Sequence, residues 1–203
     1  NQAAFEYRHD STTIAGQYSG SLRNEGEQIV LMDSGGMVIR DFVYGVIFPW
    51  PEAAGDGSGF SLVLNDPLSN PNHAEPLSWR SSVDVNGSPG SDDSQPFTGD
   101  PEADQDGDGY IAFLEYAMAT SDDSNTSIPA LQLGNEAMAG GDSEHLTIEF
   151  HVNLAAVGIS YILQGSDDLA DWDEAANLVH LSTTNNGDGT ATLKYQSTSP
   201  ASE

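Results

Sequence analysis

Three observations predict a mainly β chain built as two small modules. Short runs rich in Val, Ile and aromatic residues recur on both sides of the middle, bounded by Gly, Asn, Asp and Ser clusters that read as turns. An acidic, glycine-interrupted segment at 96–125 separates those two regions. Helical periodicity is confined to a single stretch, 111–119. With 203 residues and 37% hydrophobic content, the chain is long enough for one or two modest cores.

Taken in order, residues 28–33 and 37–44 form two strand-like runs separated by Ser34-Gly35-Gly36, the signature of a β-hairpin. A third strand is expected at 60–65, set off by Gly55-Asp56-Gly57-Ser58-Gly59. Residues 66–100 hold half of the ten prolines with many Ser, Asn and Asp, and read as long connections. Beyond Ser127 the strand pattern returns at 146–151, 160–164, 178–181 and 190–195. The cluster Asn185-Asn186-Gly187-Asp188-Gly189 is open to two readings, a tight turn or a second cation loop. The absence of a closing Glu favours the turn. The expected domains are therefore a β module at 1–95, the Asp-rich segment at 96–125 and a second β module at 126–203.

The segment between the modules is the most specific feature of the chain. Residues 104–115 read Asp-Gln-Asp-Gly-Asp-Gly-Tyr-Ile-Ala-Phe-Leu-Glu, which satisfies D-x-[DN]-x-[DN]-G-x5-E at every constrained position. In such a loop the carboxylates at positions one, three and five converge because the backbone curls around an ion. A glutamate at position twelve closes the far side with both oxygens. Asp104, Asp106, Asp108 and Glu115 take those places, Gly109 supplies the sharp turn, and the Tyr110 carbonyl is the backbone ligand. Ala112 has no side-chain oxygen, so water would complete its vertex. Four carboxylates around one divalent cation leave a local charge of about −2, and they repel when the cation is absent. Calcium is the expected ligand. Ile111, Leu114 and Met118 fall at helical spacing after the loop, whereas Gly99-Asp100-Pro101-Glu102-Ala103 is too broken for an entering helix.

Charge and composition exclude several functions. Thirty-two acidic residues against five basic ones give a formal net charge of −27. Such a surface repels phosphate backbones and anionic membranes, so nucleic-acid binding is not expected, and membrane insertion is not expected because no apolar run approaches the roughly 18 residues of a span. The acidity suits an extracellular or cell-surface setting, where salt and bound cations relieve self-repulsion. The chain has no cysteine, so disulfides, thiolate metal sites and a cysteine nucleophile are unavailable. None of the five histidines lies in a metal-ligand spacing such as H-E-x-x-H, and the nucleophile-elbow, P-loop and dinucleotide fingerprints are missing. An enzyme is not expected. The chain begins at Asn1 and ends at Ser202-Glu203 without an obvious boundary, as a piece of a longer polypeptide would.

The stretch Tyr18–Glu27, with Ile29–Asp33, Gly36–Ile39, Tyr44, Pro49-Trp50-Pro51, Asp56–Leu62, Trp79–Ser82 and Gly87–Gly90, resembles the second half of a lamin tail domain. That resemblance implies an immunoglobulin-like β-sandwich, here without its opening strands, of a type that serves adhesion or interaction in large secreted bacterial proteins. The loop at 104–115 is similar to those of dockerin-type repeats, which carry two where this chain has one. Residues 145–173 resemble a β module that follows Asp-rich linkers in such proteins. The expected role is a calcium-binding, non-catalytic accessory or adhesion segment of a secreted multimodular protein. Calcium would stiffen the connector between the β modules, and extracellular proteins or polysaccharides are the expected partners. The alternative is a carbohydrate-binding module attached to an extracellular hydrolase, with Trp50, Trp79 and Trp172 as the stacking candidates.

Overall fold

Residues 2–9, 12–166, 170–174 and 177–201 are described by a computed structural model. The fold is mainly β with antiparallel sheets, and the chain divides into two units, Asn1–Gln95 and Pro96–Glu203.

The first unit opens with a helix the apolar pattern did not announce, α1 (Gln2–Arg8). It buries no residue, so it carries no apolar stripe, and an i,i+4 hydrogen bond from Gln2 to Glu6 (2.6 Å) spans its surface. The expected hairpin forms from β1 (Glu27–Met32) and β2 (Val38–Tyr44), paired antiparallel from Glu27 opposite Tyr44 to Met32 opposite Val38. Its turn is held by Asp33, whose Oδ1 accepts from the Gly35 and Met37 amides at 2.8 and 2.9 Å. Tyr44 is buried and donates its hydroxyl to the Arg23 carbonyl at 2.5 Å, which ties the preceding loop to the hairpin.

The third strand, β3 (Leu62–Leu64), pairs with β4 (Trp79–Ser81), a three-residue strand too short to stand out in the sequence. Around them Phe42, His73, Trp79 and Trp50 make a chain of ring contacts. The Trp79 ring lies 5.8 Å from both Phe42 and His73, and 6.3 Å from Trp50. Gly45 is required here, because a Cβ at that position would lie 2.6 Å from Trp50 Cδ1.

Residues 79–94 are clamped by a buried ion pair. The Arg80 guanidinium contacts Asp93 Oδ2 at 2.7 Å and also bonds the Asp93 and Ser81 carbonyls. Asp93 in addition accepts from the Val83 amide and the Ser88 hydroxyl. As adjacent acidic residues in a Ser- and Asp-rich stretch, Asp92 and Asp93 are expected from the sequence to be solvated. Asp92 is exposed, but Asp93 is a buried structural anion.

In the second unit the Asp-rich loop leads into α2 (Ala112–Met118). Four strands then form one antiparallel sheet: β5 (Leu131–Ala137), β6 (Glu144–Asn153), β9 (Leu178–Asn185) and β10 (Thr190–Pro200), in the order β5-β6-β10-β9. Between β6 and β9 lies a short ribbon of β7 (Gln164–Gly165) and β8 (Asp173–Glu174). The strand expected at 160–164 is thus reduced to its last residue and one more. β5 escaped the sequence reading because Gly134, Asn135 and Glu136 are poor strand formers. As an edge strand it is exposed along its whole length and pairs only with β6. The Asn185–Gly189 cluster is the β9–β10 hairpin turn, closed by Asn186 to Thr190 and by Asp188 accepting from the Thr190 amide.

The core of this unit is modest. Among the described residues, Phe150, Val152 and Ala191 are its buried apolar residues on the sheet, Leu154 follows β6 directly, and Ala112 and Ala117 lie on α2. Phe150 stacks on Tyr195 with centroids 6.2 Å apart, and His180 stacks on the same tyrosine at 4.7 Å. His145 is buried and its Nδ1 lies 2.8 Å from the Ser197 carbonyl, while His151 is exposed, so the two do not form a pair. The unit's sole lysine, Lys194, bridges Glu136 and Glu149 at 2.5 and 2.9 Å.

Candidate metal centre

The loop curls because its own side chains cap its own amides. Asp104 Oδ1 accepts from the Gly107 and Asp108 amides at 2.8 and 3.1 Å, and its Oδ2 accepts from Gly109 at 3.1 Å. Asp106 Oδ1 accepts from Asp108, and Asp108 Oδ1 from Tyr110. These short-range bonds are the ones Asp favours in turns. Gly109 has φ +96, the left-handed conformation that the sixth loop position requires. The result brings one carboxylate oxygen each from Asp104, Asp106 and Asp108 within 4.8 Å of one another, a set able to hold a metal ion.

In Asp106 and Asp108 one oxygen is thereby satisfied and the other is not. Their Oδ2 atoms are buried without a hydrogen-bond partner. Glu115 is more extreme: it is 1% exposed, the largest fully buried side chain described, and neither carboxylate oxygen has a partner. Burial pushes its carboxyl up from the ordinary range. The nearby Thr120 hydroxyl opposes this without reaching hydrogen-bond geometry, and the charges of Asp106, Asp108 and Asp122 add to the rise. An unpaired buried carboxylate is costly unless a cation is coordinated. The three clustered aspartates offer a hard, all-oxygen donor set, the kind that suits calcium or magnesium rather than a soft metal, and Glu115 lies outside the oxygens that converge within 4.8 Å.

Helix α2 fixes where Glu115 sits. The Ala112 amide bonds the Ala103 carbonyl at 2.7 Å and the Phe113 amide bonds the Pro101 carbonyl, so the chain entering the loop is stitched to the helix leaving it. Phe97 packs edge-on against Phe113 and Tyr116, each with centroids 5.3 Å away. At the helix end, Asn153 donates to the Tyr116 carbonyl, Tyr116 Oη accepts from the Val157 amide, and Tyr161 donates to the Ala117 carbonyl at 2.5 Å. Desolvation pushes the Tyr161 phenol up to about 12, although a third of the residue remains exposed. The loop is thus anchored on the end of β6 and the segment that follows it.

Of the residues singled out from sequence, the three aspartates cluster, whereas Glu115 is not part of that cluster and is buried where it feels the charges of Asp106 and Asp108. Tyr110 is half-buried, with its amide on Asp108. Trp50 and Trp79 are half-buried in the ring cluster of the first unit, and Trp172, in the second unit, is 52% exposed. Asp122 and Asp123 are engaged by Gln105, through its amide (2.8 Å) and its side chain respectively. The pair Asp167-Asp168 lies outside the described residues. Sequence reasoning missed Thr120 and Asp122, which no loop pattern includes and which only the turn after α2 brings back. Among the described residues no helix is long and apolar enough to cross a membrane. Comparison with family models, curated proteins and solved structures returns no match to the chain.

Proposed function

We propose that residues 104–115 bind calcium, and that the chain is a non-catalytic, calcium-stabilised accessory segment of a secreted protein. The observation that carries the calcium reading is Glu115: a carboxylate buried with both oxygens unpartnered is what a bidentate position-twelve ligand looks like without its ion. Asp104, Asp106 and Asp108 supply the convergent oxygens, the Tyr110 carbonyl the backbone ligand, and water the vertex beside Ala112. Calcium supplies charge neutralisation. The protein's part is to hold four carboxylates in a loop they would otherwise repel each other out of.

The extracellular role rests on a net charge of −27 and on the resemblance of about residues 5–90 to a lamin tail domain. Such sites commonly bind with Kd of about 10⁻⁴ to 10⁻³ M, so they fill outside cells and stay empty at cytosolic calcium. The carbohydrate-stacking alternative is weaker on this geometry, because Trp79 stacks on Phe42 and Trp50 is half-buried against Trp79.

Calorimetric titration of calcium into chelator-treated protein tests the proposal. Saturable binding near 1:1 that vanishes in Asp104→Ala is expected, and no saturable heat in the wild type would overturn it.

A further inference from the structure

The last turn of α2 is closed in a costly way. Ala119 has φ 57 and ψ 37, the left-handed conformation usually left to glycine, and its amide turns back to the Glu115 and Tyr116 carbonyls. The Thr120 amide then bonds the Glu115 carbonyl at 2.9 Å. This turn returns the Thr120 side chain to the Glu115 carboxylate, five residues earlier, and seals its hydroxyl from solvent. Thr120 Oγ1 is buried without a hydrogen-bond partner, like the two Glu115 oxygens beside it. A hydroxyl and a carboxylate, both buried, adjacent and unsatisfied, are complementary: the one is a donor and the other an acceptor.

Resting on the calcium reading, we infer that Thr120 is a positioning residue for Glu115, donating its hydroxyl hydrogen to a carboxylate oxygen when the ion fixes that carboxylate. In that arrangement each Glu115 oxygen faces the cation and one also accepts from Thr120, which selects the rotamer needed for bidentate ligation. Partners of metal ligands act in this way, orienting the ligand without touching the metal. The left-handed alanine is the structural cost of bringing the hydroxyl there.

The test compares calcium affinity, by calorimetry on the full chain, among wild type, Thr120→Val, Thr120→Ala and Thr120→Ser, with urea midpoints measured in chelator. Valine and alanine remove the hydroxyl and should each weaken calcium binding about 10-fold. Serine restores the hydroxyl and should bind near the wild-type level. In chelator, Thr120→Val should be no less stable than wild type, because it removes a buried hydroxyl that has no partner. Wild-type affinity in both valine and alanine variants would overturn the inference, as would a serine variant as weak as valine, which would assign the effect to the methyl group. Failure of the wild type to bind would instead overturn the calcium reading, so the two failures are distinguishable.

Discussion

Asp93 and Glu115 are both buried carboxylates in a strongly acidic chain, and they are treated in opposite ways. Asp93 is saturated: Arg80, the Val83 amide and the Ser88 hydroxyl share its two oxygens. Glu115 has no partner, and the charges nearest to it are negative. The first unit contains four arginines and can neutralise a buried anion from within, whereas the second has nineteen acidic residues and only Lys194, which is committed to Glu136 and Glu149. A unit so short of cations has no side chain of its own to spare for Glu115, which is why we propose that the countercharge comes from solution. That contrast, more than the loop pattern alone, is the physical case for a bound cation.

The largest expected effect falls on the saturated carboxylate. Arg80→Met leaves Asp93 buried without its countercharge and should destabilise the first unit by about 3–5 kcal/mol. Urea denaturation should find the same loss with calcium and with chelator; a loss that calcium repairs would erase the distinction between the two sites. Next comes the unsaturated one. At calcium one hundredfold above Kd, linkage predicts about 2.7 kcal/mol of stabilisation of wild type, and Glu115→Gln should lose that increment. In chelator the same variant should be at least as stable as wild type, since it removes a buried charge that faces three others. Thermal melts with and without calcium check both statements.

A smaller effect involves His180, which burial holds below its ordinary value while the Ser182 carbonyl opposes the shift. The unfolded chain therefore takes up this proton first. Stability is unaffected well above the ordinary histidine value of about 6.5 and falls as pH drops below it toward the depressed folded value. Urea midpoints between pH 8 and 5 should decline more steeply for wild type than for His180→Phe. Smallest of all, Lys194→Met should cost less than about 1 kcal/mol despite its two contacts, because Glu136 and Glu149 are partly exposed. A larger loss by denaturation would mean that this lone lysine relieves the second unit's self-repulsion more than its surface position indicates.

Local chemistry was legible in the sequence wherever it was self-contained. Asp104 to Gly109 bond their own neighbours, so their spacing alone announces the curl, and Ser34-Gly35-Gly36 announces the β1–β2 hairpin in the same way. What depended on distant partners was not legible. Asp93 looks like any exposed aspartate until Arg80, thirteen residues away, is seen beside it. β5 is held in place by register with β6, not by its own composition. Thr120 matters through a backbone turn at Ala119 that no residue pattern encodes. Residues 96–125 read from sequence as a segment between two modules, yet the hydrogen bonds from Asn153, Val157 and Tyr161 to α2 anchor it to the second unit, contacts 37 to 44 residues distant along the chain.

The most direct test of the central claim is a crystal structure grown in calcium, with the ion located by its anomalous signal. A single ion ligated by Asp104, Asp106 and Asp108, with both Glu115 oxygens at about 2.3–2.6 Å, is the predicted result. Glu115 still buried and unligated, with the loop empty at millimolar calcium, would contradict it.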